Sequence, residues 1–332
     1  MPTFRAIRHD CDGGARMLAM AADDLTEEGV VVAVEFSAIG RGDALLTSGL
    51  LQQDVPRVIL GMDLAGTVLA SPDARWGPGD AVLATDHRLG RTHHGGWAER
   101  ARVPGAWLLA QPRGISPRSA MAIGTAALAA MQAVIALKDH GVAPEAGPVI
   151  VTGAAGGVGS LAIVALKDAG FAVTAATGRP HLEGYLRALG ATDVISRQTL
   201  QPPAVLSSEQ WAGAVDSPGG DVLAALIATT SRSGVVAVIG DVSGATMAGN
   251  VVILTDRRLT LVGIDAVGPG RSRRLDAWER WASLLTRSPA PALELLVTIV
   301  ALEHAIKASR ALRAGRAPRS RGHRPETQCA RP

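Results

Sequence analysis

A glycine-rich turn between a strand-like run and a helix-like run constrains the fold of this chain more than any other feature. Residues 149–167, VIVTGAAGGVGSLAIVALK, begin as an apolar β-branched run, pass through the turn and continue as an apolar helix. Glycines let the backbone approach an anion, and a helix N-terminus supplies free N–H groups and a positive dipole end. Gly156 and Gly159 stand where the second and third glycines of G-x-G-x-x-G belong, and Ala154 replaces the first. The segment predicts a dinucleotide site; the alternative is a tight βα connection in another α/β fold.

Strand-like and helix-like runs alternate around this turn, and their order predicts the architecture. Six strands joined by crossovers imply a parallel, doubly wound Rossmann sheet. The predicted strands cover residues 149–152, 171–176, 193–195, 211–215, 235–239 and 259–264, and the predicted helices cover 160–169, 182–189, 222–231 and 271–285. Before the sheet, short runs at 30–36, 66–69, 81–84 and 97–103 predict a small β-rich domain, which a helix over 116–137 connects to it.

Composition and charge exclude several classes of protein. At 332 residues the chain is long enough for two domains. Cys11 and Cys329 lie near opposite ends, and the start of the chain has no apolar leader, so we expect a cytoplasmic protein without a disulfide framework. The uncharged windows 119–137 and 148–166 are rich in Ala and Gly, and we expect them to be buried rather than membrane-spanning.

The net charge of +3 conceals two parts of opposite sign. Residues 301–332 contain eight Lys or Arg and two acids, a net +6, so residues 1–300 carry −3. Because the basic charge is confined to the end, the body of the chain has no pattern typical of a nucleic-acid surface.

The residues that follow the second Rossmann strand indicate which dinucleotide binds. An NAD site usually has Asp or Glu about 20 residues beyond the turn, to bind the ribose hydroxyl. This chain has Ala175-Ala176-Thr177-Gly178-Arg179 and no acid there. A hydroxyl and a guanidinium would hold a 2′-phosphate that a carboxylate would repel. Thr177, Gly178 and Arg179 therefore predict NADP(H); the alternative is an ordinary loop with a solvated arginine.

Longer segments resemble a known family. In order along residues 30–285, they are MDLAGT, HGGWAE, AIGTA, IVTGAAGGVGS, TGRPHLEGYLRALGATDVI, WAGAVDSPGGDVLA and LVGIDAV. The chain resembles the medium-chain dehydrogenases/reductases, in particular the acrylyl-CoA reductase (AcuI/YhdH-like) branch of the zinc-free quinone oxidoreductase group. The resemblance implies a GroES-like catalytic domain made from both chain ends, an inserted Rossmann domain, NADPH as hydride donor and a homodimer.

The resemblance also implies the site residues. The pyrophosphate is expected against the turn and the nicotinamide at Thr125. Gly240 and Ile264 are expected to lie at the carboxyl edge of the sheet, where the ligand binds. The turn residues concerned are Gly153, Ala154, Gly156, Gly157, Val158 and Gly159. Zinc-dependent relatives have a histidine ligand where this chain has Met62, and no cysteine lies near residues 37–43, so no metal is expected.

The substrate half departs from the family pattern. The family's Asn-Tyr-Lys-Asp run is replaced by Gly40-Arg41-Gly42-Asp43. Arg41, Asp43 and His93 are the candidate catalytic residues. Arg41 could clamp a carbonyl or a phosphate, or be a solvated loop arginine.

The end of the chain departs as well. The family closes its catalytic domain with a Val-rich strand, whereas residues 316–332 are rich in Arg and Pro without apolar alternation. We expect this tail to be disordered, because a reading-frame shift in the gene would replace the strand with such a sequence. The alternative is a basic tail that binds nucleic acid or anionic lipid. The expected domains are 1–118 (catalytic), 119–265 (Rossmann) and 266–315 (return to the catalytic domain).

Three functions fit the sequence. The leading hypothesis is hydride transfer from NADPH to an enoyl thioester of the acrylyl-CoA type. The second is quinone reduction, against which we count the scarcity of aromatic residues, 3% of the chain. The third is a protein that binds NADP(H) but no longer catalyses. In each case the partner is a small molecule, and neither nucleic acid nor membrane is expected.

Overall fold

The computed structural model describes residues 3–10, 14–25, 28–51, 54–201, 208–247, 251–268, 270–287, 297–314 and the strand 327–331. The chain divides into two compact units. Unit 1 comprises Met1–Thr125, Val267–Thr286 and Glu294–Pro332, and unit 2 comprises Ala126–Ala266 and Arg287–Leu293. Unit 2 is thus an insertion in the sequence of unit 1.

Both units contain strands and helices. Within the described residues the strands are β1 (Thr3–His9), β2 (Ala15–Ala21), β3 (Val30–Ile39), β4 (Asp63–Ala70), β5 (Ala81–Thr85), β6 (Arg100–Val103), β7 (Leu109–Ala110), β8 (Val149–Val151), β9 (Val173–Thr177), β10 (Asp193–Ser196), β11 (Trp211–Asp216), β12 (Thr230–Val238), β13 (Thr260–Gly263), β14 (Val297–Ala301) and β15 (Thr327–Arg331). The α-helices are α1 (Arg41–Leu46), α2 (Pro117–Asp139), α3 (Gly157–Asp168), α4 (Glu183–Leu189), α5 (Gly220–Thr229), α6 (Val251–Arg257), α7 (Arg271–Arg287) and α8 (Ala305–Arg313).

Unit 2 is built on a parallel sheet. Its six described strands are ordered β10-β9-β8-β11-β12-β13, with every neighbouring pair parallel. This is the order of a doubly wound dinucleotide-binding sheet, and the predicted architecture is confirmed. The strands are apolar on both faces because helices cover them; Ile150, Ala214 and Val236 are fully buried in one core with Leu226 of α5.

Several predicted boundaries in unit 2 differ from the structure, and two of them are wrong by three residues or more. The helix expected from residue 160 begins at Gly157, because Gly156 takes the extended N-cap conformation and the two glycines at 157 and 159 lower helix propensity without preventing helical dihedrals. The strand expected from residue 235 begins at Thr230, directly after α5 ends at Thr229. β-branched Thr230 favours the extended conformation, and its buried hydroxyl donates to the Leu226 carbonyl at 2.7 Å.

Unit 1 has a mainly antiparallel sheet and a separate hairpin. Its described strands are ordered β14-β15-β3-β4-β5-β7, β6 also pairs with β3, and β1 pairs with β2. Alternate residues of β3, Val30, Val32 and Val34, point into one core with Leu64 and Val82. The sheet interior therefore follows from the period-two pattern of its strands.

Helix α2 is apolar and long enough to cross a membrane, and 72% of its most apolar window is buried inside the protein. Core helices of soluble proteins have the same length and composition. The helix is interrupted at Gly124, whose φ of 43° and ψ of −145° are not helical. This interruption exposes the N–H of Thr125 to a side-chain acceptor.

The prediction that residues 316–332 contain no strand is wrong for Thr327–Arg331. β15 pairs in parallel with β14 and antiparallel with β3. The prediction weighed side-chain pattern, but these five residues contain no proline, so every backbone N–H and C=O is available on both sides of the strand. The rest of the predicted tail lies outside the described residues.

Candidate active site

The turn after β8 leaves a helix N-terminus open. Gly156 is the N-cap of α3, and it provides no side chain to cap the first-turn N–H groups. Such N–H groups, together with the helix dipole, form an anion site. Gly153 turns the chain with a left-handed φ of 59°, which only glycine adopts without strain. The predicted pyrophosphate residues therefore lie in the turn and first helical turn, with Gly157, Val158 and Gly159 inside the helix.

Close packing requires glycine at one of these positions above all. A Cβ on Gly159 would lie 2.4 Å from the Gly153 carbonyl oxygen and 2.8 Å from the Ala154 Cα. The Ser160 hydroxyl donates to the Ala154 carbonyl at 3.1 Å and closes the turn from the same side. Gly157 has open space instead, since its Cβ would meet only the Ala126 Cβ, at 3.8 Å. The first turn of α3 is thus held directly against residues 153 and 154.

The carboxyl end of β9 carries the residues predicted to select NADP(H). Thr177 is buried, and its hydroxyl accepts a hydrogen bond from the Arg179 N–H at 3.0 Å. Sequence reasoning missed a second arginine here: Arg197 Nε lies 3.0 Å from where a Cβ on Gly178 would stand. Arg197 follows β10, whose Ser196 pairs with Thr177 in parallel register. Register between the second and third strands could have identified it, because both strands end at the same sheet edge.

Three further loops follow β11, β12 and β13 at this edge. A Cβ on Gly240 would lie 2.4 Å from the Ser217 carbonyl oxygen, and the Ile264 N–H donates to the Val238 carbonyl at 2.8 Å. Buried Asp216 accepts hydrogen bonds from the Thr152 hydroxyl at 2.6 Å and from the Gly219 N–H at 2.7 Å. Burial raises the pKa of Asp216. The contacts of Gly240 and Ile264 with a cofactor stay predictions.

In unit 1, Thr125 is fixed by a carboxylate that sequence reasoning did not select. Asp63 Oδ2 accepts the Thr125 N–H at 2.8 Å, and Oδ1 accepts the Thr125 hydroxyl at 2.5 Å and the Asp86 N–H at 2.9 Å. Burial raises the pKa of Asp63, and the bonds from Thr125 offset part of this rise. Because the Thr125 hydroxyl donates its proton to Asp63, its oxygen can act toward other groups only as a hydrogen-bond acceptor.

Of the candidate catalytic residues, Asp43 is buried and holds two segments of backbone together. It is 1% exposed, and its carboxylate accepts the Gly40 N–H at 2.9 Å and the Met62 N–H at 3.1 Å. Burial raises the pKa of Asp43 to about 7. Asp43 therefore ties the start of α1 to the residue preceding Asp63.

The two other candidates are more accessible. Arg41 is exposed at the first position of α1. Half-buried His93 has Nδ1 2.8 Å from the Thr92 hydroxyl, and its ring meets Trp107 edge-on with centroids 4.5 Å apart. Packing explains the glycine at position 42 of the altered segment. A Cβ on Gly42 would lie 2.2 Å from Met62 Sδ. The catalytic roles of Arg41, Asp43 and His93 stay predictions.

Metal-ligating side chains do not cluster in the described part of the chain: no three His, Cys, Asp or Glu side chains there form a group that could hold an ion.

Comparison with known proteins agrees with this geometry. Residues 26–113 match the alcohol dehydrogenase GroES-like domain family. The chain is 43% identical over 289 residues to acrylyl-CoA reductase AcuI of Ruegeria pomeroyi, covering 85% of this chain and 86% of that protein. Two crystal structures are similar over the whole chain: the YhdH oxidoreductase of Salmonella enterica in complex with NADP (TM-score 0.92, 36% identity, 99% of each chain) and YhfP of Bacillus subtilis with NAD bound (TM-score 0.91, 35% identity, 100% of each chain). The predicted GroES-like and Rossmann fold is confirmed, and the chain belongs to the medium-chain dehydrogenase/reductase superfamily, in its acrylyl-CoA reductase (AcuI/YhdH-like) branch.

Proposed function

We propose that this protein is a cytoplasmic, NADPH-dependent reductase of an activated C=C bond in an enoyl thioester such as acrylyl-CoA. The single observation that carries the proposal is that Arg179 and Arg197 follow β9 and β10, the two strands on one side of β8 in the sheet, and that α3, which follows β8, begins without a side-chain cap. The similarity to an acrylyl-CoA reductase supports the choice of substrate. In this proposal unit 2 binds the cofactor and unit 1 supplies the groups that act on the substrate.

The residues present fit NADPH. The N–H groups of the first turn of α3 would bind the pyrophosphate, and the Arg179 and Arg197 guanidiniums would bind the 2′-phosphate. The Thr125 hydroxyl oxygen, as an acceptor, suits the amide N–H of a nicotinamide carboxamide. When bound, NADPH supplies a hydride to the β-carbon, the C=C electrons move onto the carbonyl oxygen, and a proton then adds at the α-carbon.

The protein's own task is to orient the enoyl thioester and to stabilise negative charge on its carbonyl oxygen. Arg41 is a candidate for this task because it is exposed and cationic at the start of α1. Asp43 and His93 remain candidates for delivering the proton.

A second candidate, quinone reduction, is favoured by one observation. The chain has few aromatic residues, yet three rings gather in unit 1: His87 stacks on Trp107 at 5.1 Å with an interplanar angle of 3°, and His93 meets the same ring. These rings gather aromatic surface in one place despite the low aromatic content of the chain, which favours a flat substrate such as a quinone.

One assay separates these functions. Purified protein is mixed with NADPH and either acrylyl-CoA or a simple benzoquinone, and the loss of NADPH absorbance is followed. Faster turnover of acrylyl-CoA supports the proposal, and faster turnover of the quinone supports the second candidate. NADPH binding by calorimetry without turnover of either would overturn both, in favour of the non-catalytic alternative.

We also propose a homodimer. β13 lies at the edge of the described sheet, and the preceding segment exposes Val242 (62%), Val251 (71%) and Val252 (52%). An unpaired edge beside exposed apolar side chains favours association with a second copy. Sedimentation velocity should give a dimer, and Val251→Glu should shift it toward monomer; a monomeric wild-type protein would contradict this.

A further inference from the structure

Three consecutive residues of unit 1 adopt a left-handed backbone. Asp86, His87 and Arg88 have φ values of 57°, 52° and 59°. None of them is glycine, and L-residues rarely adopt this conformation in succession. Strained backbone persists only where the surroundings enforce it, and it concentrates at functional sites.

Hydrogen bonds enforce the turn from within the candidate site. The Asp86 N–H donates to Asp63, the carboxylate that also holds Thr125. Asp86 in turn accepts the Arg88 N–H at 3.0 Å through its carboxylate and the Leu89 N–H at 2.9 Å through its carbonyl. His87 is therefore separated from Thr125 by Asp86 and a single shared carboxylate.

The His87 ring is held in place but keeps its polar atoms available. It lies flat against Trp107 and is half-buried, and within the described part of the chain neither ring nitrogen makes a hydrogen bond. Burial and the charge of Arg274 lower the pKa of His87 to about 4. Arg274 is itself 1% exposed and donates to the Thr85 carbonyl at 2.6 Å. The imidazole is consequently neutral at neutral pH, with one N–H donor.

We propose that His87 is a catalytic residue whose N–H donates a hydrogen bond to the carbonyl oxygen of the substrate. The inference rests on the proposed function, and it assigns a donor for the oxygen that becomes negative as the hydride adds. The nitrogen keeps its proton throughout, so the proton that later reaches the α-carbon comes from elsewhere. The positive charge of Arg274, which acts on the His87 ring, also favours negative charge on the substrate oxygen. A neutral imidazole can polarise a carbonyl in this way.

The test compares three substitutions at one position. His87→Ala removes the donor, and we expect kcat for acrylyl-CoA to fall by about 10²–10³-fold while the Kd for NADPH changes less than about twofold. His87→Asn and His87→Gln restore a neutral N–H near Nδ1 and Nε2 respectively, and asparagine also tolerates the left-handed φ. We expect one of them to recover at least about tenfold of the loss. His304→Gln, at an exposed histidine of unit 1 outside the candidate site, is the control and should leave kcat within about threefold of that of the wild-type protein.

A spectroscopic readout separates a donor from a packing residue. Propionyl-CoA bound with NADP⁺ should show a C=O stretching frequency lower than in water, and His87→Ala should abolish most of that lowering. Unchanged kcat in His87→Ala would overturn the inference, as would a loss that neither amide rescues or a pH limb near neutrality that vanishes with His87. A wild-type protein inactive on acrylyl-CoA would instead overturn the proposed function.

Discussion

Replacing Gly159 with alanine tests the interpretation of the glycine-rich turn most directly. The new Cβ would lie 2.4 Å from the Gly153 carbonyl oxygen, whereas ordinary contact begins at 3.4 Å. α3 and the turn must therefore separate by about 1.0 Å, the difference between these distances. Overpacking of this kind costs about 1–3 kcal/mol in the free energy of unfolding. At roughly 2–4 °C per kcal/mol, the apparent Tm of the cofactor-free protein should fall by about 2–12 °C.

The same displacement should weaken cofactor binding. A hydrogen bond from an N–H to a charged phosphate contributes about 1.5–3 kcal/mol, so moving the first-turn N–H groups should raise the Kd for NADPH at least about tenfold. Circular dichroism melts and titration calorimetry measure the two effects separately.

Gly157→Ala is the control for Gly159→Ala, because its Cβ would meet only the Ala126 Cβ at 3.8 Å. Alanine is favoured over glycine in a helix by up to about 1 kcal/mol, so this variant should be at least as stable as the wild-type protein. If Gly159→Ala matched the wild-type protein in both Tm and Kd, the tight turn would not be what holds the N–H groups in position. An equal fall in Tm from both substitutions would also refute the reasoning.

Three further predictions concern single side chains. Arg197→Gln should raise the KM for NADPH about tenfold and leave that for NADH unchanged, with Arg187→Gln as control; an equal rise for both cofactors would refute a 2′-phosphate contact. Asp63→Asn places an N–H where Thr125 needs an acceptor, so kcat should fall about 10–100-fold. Stopped-flow measurement of hydride transfer at saturating NADPH checks this, and an unaltered rate would show that the contact is dispensable. Asp43 has its pKa raised from 3.8 to about 7, so the folded protein retains a proton that the unfolded chain releases. The free energy of unfolding should therefore fall as pH rises from about 4 to about 7. Urea titrations should show a shallower fall in Asp43→Asn, and parallel curves would contradict it.

The Rossmann unit could be predicted from sequence because its signals are local. A β-branched run, a glycine turn and an apolar helix stand next to one another in residues 149–167, and residues 175–179 mark the end of the next strand. Arg197 was recoverable in the same way, through strand register with Thr177. Neither inference required a contact between distant parts of the chain.

The substrate half could not be predicted in this way, since its contacts join distant residues. Asp63 meets Thr125 across 62 positions, and no local pattern marks an aspartate whose role is to accept the N–H of a broken helix. The left-handed backbone at His87 could not be predicted, because no glycine at residues 86–88 indicates it in the sequence. β15 was missed because its pairing depends on the backbone of β14 and β3 rather than on its own side-chain pattern.

The insertion of unit 2 into unit 1 also has a consequence for synthesis of the chain. β3 ends at Ile39, but the strand that covers its edge begins at Thr327. At roughly 5–20 residues per second, the ribosome takes about 15–60 s to supply it. For that time the N–H and C=O groups along the edge of β3 are open to other chains, while the continuous unit 2 segment has already emerged and can fold. The nascent chain thus spends most of its synthesis with an unpaired sheet edge, a condition that favours association between chains.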